Sequence, residues 1–236
     1  MNPIPTIANH LSGNPYVGRG IIIGTSPSGK AVCAYFIMGR SENSRNRVFL
    51  DRDGIISTEP YDARRVEDPS LIIYTAVKQF ENKLIVTNGD HTDTIYDALA
   101  LEDSFQSALC ARTFEPDAPH YTPRIGGMVT FENDGFSYEM GILKSVDTQG
   151  SHCQRSFYTF PSRVGFGHFI HTYKCDGTPL PSFEGEPKEV VIYDDVDVFT
   201  DEIWNSLDTQ NKISLYVRYT DPMTGSYESR LINKNG

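Results

Sequence analysis

Residues 20–38 place the tightest constraint on the fold. Gly20-Ile21-Ile22-Ile23-Gly24 is a short apolar run, Thr25-Ser26-Pro27-Ser28-Gly29 is turn chemistry, and Lys30 to Met38 is a second, longer run. β-Branched and aromatic residues in short runs bounded by Gly, Pro and Ser predict a β-hairpin with a buried second strand. The longest apolar run, Ala31 to Gly39, is far too short to cross a bilayer as a helix.

The same texture continues. Val48-Phe49-Leu50, Gly54-Ile55-Ile56, Leu71–Val77 and Leu84–Thr87 read as short strands. Thr92 to Glu115 then contains no Gly or Pro. Ile95, Ala98, Leu99, Phe105, Ala108 and Leu109 recur there at helical spacing, with Thr92 or Asp93 as the expected N-cap and Asp103-Ser104 as the point where the helix can split. Strands return at Arg124–Phe131 and Phe136–Leu143, joined by the turn signal Glu132-Asn133-Asp134-Gly135. Further strands are expected at Phe157–Phe160, Gly167–Lys174, Glu189–Tyr193, Ile213–Thr220 and Tyr227–Asn233. Thr200 is the expected cap of a short helix, and Asp221–Gly225 closes the last hairpin. Neither a repeat nor a linker divides the chain. It reads as a loose N-terminal arm over residues 1–15 and a single α+β domain with antiparallel sheets over residues 16–236.

Composition excludes some functions. A formal charge of −10 argues against a nucleic-acid binder, which would show a basic field. The start, Met1 to Pro5, has neither the basic stretch nor the apolar segment of a signal peptide. Cys33, Cys110, Cys153 and Cys175 show no paired spacing, which suits free thiols and a cytoplasmic location, and the sequence indicates no membrane partner.

Against that acidic background stands Gly39-Arg40-Ser41-Glu42-Asn43-Ser44-Arg45-Asn46-Arg47, whose three arginines and one glutamate give a local balance of +2. Guanidinium forks match phosphate or carboxylate oxygens, so the loop is either an anion site or a solvated turn. Thr87-Asn88-Gly89-Asp90-His91-Thr92-Asp93 leads into the predicted helix. It is either a glycine turn with a cap or a place where backbone N–H groups and His91 meet a ligand. Glu115, Asp117, His120, Tyr121, Thr122 and Arg124 crowd a connection stiffened by proline. Tyr74 is a polar-tipped aromatic in an apolar strand, which a core tyrosine also explains. His168 and His171 fall on opposite faces of a strand and cannot share a metal ion, so no metal site is expected.

Tyr16-Val17-Gly18-Arg19, Tyr35 through Arg40-Ser41 to Asn46-Arg47, Val86 to Asp93, and Tyr121-Thr122-Pro123-Arg124-Ile125 occur in that order. Together they resemble the standalone IMP cyclohydrolase family, over roughly residues 16–145. The resemblance implies a four-layer α-β-β-α sandwich with two face-to-face antiparallel sheets, similar to N-terminal-nucleophile hydrolases. The terminal nucleophile of that fold is missing, since the chain begins Met1-Asn2. The implied reaction closes the purine ring of 5-formamidoimidazole-4-carboxamide ribotide (FAICAR) to give IMP and water, with no cofactor. The implied partners are the purine ribotides FAICAR, IMP and AICAR, with a homo-oligomer possible.

In that reading Arg40 with Arg47 or Arg45, beside Asn46, holds the 5′-phosphate, and Ser41, Tyr121 and Thr122 contact the substrate. Glu115, Tyr74 and His91 have groups suited to moving protons, the resemblance favouring Tyr74 and Glu115, while Arg124, Asn88 or a backbone N–H stabilises the formyl oxygen. A ribotide-binding module without catalysis and an amide hydrolase on the same fold are the alternatives.

Overall fold

The computed structural model describes residues 3–66, 73–133 and 135–235. Its elements begin with α1 (Ile7–Leu11), β1 (Arg19–Thr25), β2 (Ala31–Met38), α2 (Glu42–Arg45), β3 (Val48–Arg52) and β4 (Ile55–Glu59). After a 3₁₀ turn at Ala63–Arg65 come β5 (Tyr74–Phe80), β6 (Lys83–Thr87), α3 (His91–Ala100) and α4 (Phe105–Cys110). The chain continues through β7 (Arg124–Glu132), β8 (Gly135–Ser145), β9 (Cys153–Pro161), β10 (Phe166–His171) and β11 (Lys188–Val191). It ends with α5 (Val196–Ser206), β12 (Lys212–Thr220) and β13 (Tyr227–Asn233).

The strands form two sheets, ordered β11-β10-β1-β2-β12-β13 and β3-β4-β5-β6-β7-β8-β9, and every pairing is antiparallel. The α+β reading and the layered sandwich both hold. The two-residue period of a strand explains how the layers form. In β2, Ala31, Cys33, Tyr35 and Ile37 pack into the core between the sheets, with Ile56, Val86 and Ile142 among their neighbours in that core. Val32, Ala34, Phe36 and Met38 pack on the other face, in a core completed by Ile7 and Leu11 of α1 and Phe199 and Ile203 of α5. All eight residues of β2 are therefore buried, so the run shows no alternation. A third core joins Ile85, Met128 and Leu143 of the seven-stranded sheet to Ile95 and Leu99 of α3 and Phe105 of α4. The order of layers is thus α1/α5, six strands, seven strands, α3/α4.

Several local expectations change. The N-terminal segment is not a loose arm over its described part, because α1 buries Ile7 and Leu11. The helix expected over residues 92–115 splits at the Asp103-Ser104 break, and Ser104 caps α4 by accepting from Ser107 N. Asp90, not Thr92 or Asp93, stands at the N-cap of α3, and its side chain makes no capping bond because it faces arginines instead. Asp195 caps α5 with bonds from Asp197 N and Val198 N. Thr200 lies inside that helix and donates to Val196 O at 2.6 Å. The first residues of the strand expected at Leu71–Val77, and Asp134 of the turn before β8, lie outside the described residues. Among the described residues no helix is long and apolar enough to cross a membrane.

Candidate active site

Arg19 begins β1, in phase with Ile21 and Ile23, so its side chain enters the space between the sheets at the end of the sandwich. The approach is set by Gly18, whose φ of +79° suits glycine and where a Cβ would lie 2.2 Å from Thr172 Oγ1. Arg47 comes from the turn after α2 and is 2 % exposed. With Tyr16, Arg40, Ser41 and Ser44, both arginines line a cavity of about 250 Å³, closed on its far side by Asp117, His120, Thr122, Tyr173 and Leu180.

The cationic side of this cavity is underpaired. Arg47 donates from Nε to Ser44 O at 2.8 Å, and among the described residues no carboxylate forms an ion pair with it. Burial and the neighbouring charge of Arg19 push its guanidinium below its usual range, though it remains a cation. Arg19 Nε is buried without a hydrogen-bond partner among the described residues. Burial works against the Arg19 charge, but Glu115 and Tyr16, Tyr173 and Tyr74 outweigh it and hold the guanidinium above its usual range. Arg40 stacks 5.3 Å from the Tyr16 ring centre and donates from Nη1 to Asp176 Oδ1 at 2.6 Å and Gly177 O at 2.9 Å.

The opposite wall is acidic and tightly bonded. Burial raises the Tyr173 hydroxyl above its ordinary range, so it stays protonated. It is hydrogen-bonded to Thr122 Oγ1, which in turn bonds Asp117 Oδ2. Asp117 Oδ1 also accepts from Thr122 N at 2.6 Å. Inward from the arginines, the Tyr35 and Tyr74 hydroxyls meet at 2.8 Å. Burial and Tyr74 raise the Tyr35 hydroxyl well above its ordinary range, against the opposing charges of Arg19 and Arg47.

Glu115 is 7 % exposed. Burial raises its carboxyl above the ordinary range, and Arg19, Arg124 and Arg47 pull against that rise. Gly89 marks how closely this corner is built. A Cβ there would lie 2.8 Å from Arg124 Nη1, 3.2 Å from His91 Nδ1 and 3.4 Å from Glu115 Oε1.

Asn88, His91 and Arg124 form a locked floor beside Glu115. Asn88 Oδ1 accepts from Ile125 N at 2.7 Å and its Nδ2 donates to Pro123 O at 3.0 Å, so the amide joins the end of β6 to the start of β7. His91 Nε2 donates to Ile125 O at 3.0 Å, which leaves Nδ1 to accept from Arg124 Nη1 at 3.2 Å. Burial and the Arg124 charge hold His91 down to about 3, so it is a neutral spacer at physiological pH. Arg124 also pairs with Asp90 at 2.6 Å, and Asp90 pairs with Arg112 at 2.5 Å.

Of the residues expected at the site, Arg40, Ser41, Arg47 and Thr122 share the cavity, and Tyr74 and Glu115 lie within electrostatic reach of its arginines. Three others point elsewhere. Arg45 donates to Gly39 O at 3.0 Å and to Asn211 Oδ1 at 2.8 Å, because the turn of α2 carries it away from Arg40 and Arg47. Asn46 spans to Asp62, accepting from its N at 2.7 Å and donating to its O at 2.8 Å. Tyr121, at a φ of +44°, lines a separate cavity of about 340 Å³ beyond His120, whose one cation, Lys144, donates to Phe183 O. Arg19, Tyr35 and Tyr173 were missing from the expected set. The phase shared by Arg19 and Ile21 was a readable signal for the first of them. Replacing Asn46 by alanine removes its bond to Asp62 N and one of two bonds to Asp62 O, which also accepts from Arg65 N. It is expected to cost about 1–3 kcal/mol in urea unfolding, with ligand affinity changed by less than about 3-fold.

The sequence matches the model of the family described as IMP cyclohydrolase-like protein over residues 16–225. A protein of Methanococcus aeolicus named IMP cyclohydrolase is 29% identical over 164 residues, which cover 68% of this chain and 75% of that protein. A Methanocaldococcus jannaschii protein of the same name is 26% identical over 181 residues, covering 75% of this chain and 83% of its own. One from Methanopyrus kandleri is 31% identical over 192 residues, covering 72% and 89%. The match takes in every strand but β13 and every residue lining the cavity, and the chain belongs to the IMP cyclohydrolase-like family.

Proposed function

We propose that this chain is an IMP cyclohydrolase that closes the six-membered ring of FAICAR. The observation that carries the reading is the pair Arg19 and Arg47. Arg47 is buried with no ion pair among the described residues, and the partly buried Arg19 beside it has a buried Nε without a partner among them. Buried like charges are costly unless an anion joins them, and a ribotide phosphate supplies that anion.

In the reaction the carboxamide nitrogen bonds to the formyl carbon and gives up one proton. The formyl oxygen is protonated and leaves as water while the formamido nitrogen gives up the second proton, so one C–N bond forms, the C–O bond breaks and a C=N bond results. Arg40 and Arg47 hold the phosphate, and this remote binding fixes the reacting atoms. Arg19 lines the same cavity and interacts electrostatically with Glu115. Glu115 takes the amide proton and returns it toward the departing oxygen, and Tyr74, hydrogen-bonded to Tyr35, is placed to donate beside it. Arg124, held by Asp90 and His91, supplies fixed positive charge against the oxyanion. The four free cysteines suit a cytoplasmic enzyme.

Purified protein incubated with FAICAR is expected to release IMP well above the uncatalysed rate. Folded protein without turnover would reject the reading. Arg40→Ala and Arg47→Ala are each expected to weaken IMP binding about 10–100-fold, with inosine binding little changed. Equal losses for nucleotide and nucleoside would take both arginines off the phosphate.

A further inference from the structure

Of the three arginines lining the cavity, only Arg40 has a carboxylate at ion-pair distance among the described residues. Its partner, Asp176, is half exposed and lies on the segment between β10 and β11 that also supplies Gly177 O to Arg40 and Tyr173 and Leu180 to the cavity wall. Asp176 stays tied to that segment, since its Oδ1 also accepts from Gly177 N at 2.9 Å. The contact therefore fills Arg40's anion position with a group belonging to the protein.

We infer that Asp176 sets the affinity of the anion site, as an internal competitor that the ligand's phosphate displaces from Arg40. The inference rests on the phosphate reading above. A carboxylate carries one negative charge and meets Arg40 through a single Nη1 contact. A phosphate dianion carries more charge and is shared with Arg47, so it wins the exchange. A ligand without the phosphate offers Arg40 no anion and leaves the Asp176 pair in place, so its affinity does not depend on that pair. Asp176 thus holds down the affinity of phosphorylated ligands alone, and it neutralises Arg40 while the cavity is empty. The contact is partly solvated, so the competition is modest.

The test uses the full-length protein and titration calorimetry with inorganic phosphate, IMP and inosine. Asp176→Asn keeps the side chain's shape and, at a half-exposed loop position, leaves the fold intact. It is expected to tighten IMP and inorganic phosphate about 3–10-fold, with inosine unchanged. In an Arg40→Ala background the same substitution is expected to have no effect on IMP. Asp176→Glu is expected to restore the weaker, wild-type affinity. Unchanged or weaker IMP binding by Asp176→Asn, while Arg40→Ala still weakens it, would overturn the competitor role and leave the phosphate reading standing. If Arg40→Ala itself leaves IMP binding unchanged, the phosphate reading fails and the competitor role fails with it.

Discussion

Replacing Glu115 by glutamine is expected to lower kcat about 10²–10⁴-fold, while affinity for the ribotide stays within a few-fold of the parent's. Glutamine keeps the size of the side chain and removes only its capacity to exchange a proton. The environment explains why the loss falls on the chemical step. Burial favours the neutral carboxyl and outweighs Arg19, Arg124 and Arg47, which favour the carboxylate, so the group is a stronger base than an ordinary carboxylate. A base of this kind loses activity as acid protonates it. The rate should fall as pH drops through the raised Glu115 titration, and the substituted enzyme should lack that limb. Steady-state kinetics from pH 5 to 9 would check both points. A Glu115→Gln enzyme within about 3-fold of the parent kcat would remove Glu115 from proton transfer.

Acid is expected to destabilise the fold well before the ordinary carboxylates titrate. His91 is held down to about 3 by burial and Arg124, and His171 is held down to about 4 by burial, with the His10 and Lys188 charges adding to the effect. Both titrate near 6.5 in an unfolded chain. Folded-state values below the unfolded ones mean that the stability is fully present above about pH 6.5 and is lost as the unfolded state takes up protons that the native state refuses. By pH 4.5 the two histidines together remove on the order of 5 kcal/mol, which is a large share of a typical domain's stability. Glu115 opposes this with the other sign, because its raised titration makes the native state the better proton acceptor. The measurement is urea unfolding at pH 7.5 and 4.5, with the imidazole proton resonances followed between pH 5 and 8. Equal midpoints, or His91 and His171 signals that move in that range, would contradict the account.

The fold was legible where burial leaves a pattern. The hairpin of β1 and β2, the split helix and most later strands could be read because each has a periodic apolar face or a turn between runs. The N-terminal helix was not legible, since two buried residues, Ile7 and Leu11, are too few to show a period among prolines and polar residues. The Asp195 cap was also missed, because Thr200 is as good a capping residue and only the position of the helix decides between them. At the site, the arginine loop announced itself by charge. Which arginines converge was decided by the turn of α2, which sends Arg45 to Asn211 and returns Arg47 to Arg40. His91 and Asn88 stood out as polar residues, yet their bonding capacity is spent inside the protein. Tyr173 reads only as part of the strand expected at Gly167–Lys174 and Asp176 lies just past it, so neither marks a site that they reach only through tertiary packing.

The order of the strands also bears on how the chain is made. The seven-stranded sheet is one continuous stretch, residues 48–161, inserted between two groups of strands that must find each other. Ala34 of β2 pairs with Val217 of β12, so the centre of the six-stranded sheet joins residues that leave the ribosome far apart in time. The middle sheet can form during synthesis, while β2, paired on one edge with β1, waits for β12 to cover its other edge. Throughout that interval the nascent protein presents an unpaired aliphatic edge, which makes it a natural client for a chaperone and gives truncated products a strong tendency to aggregate.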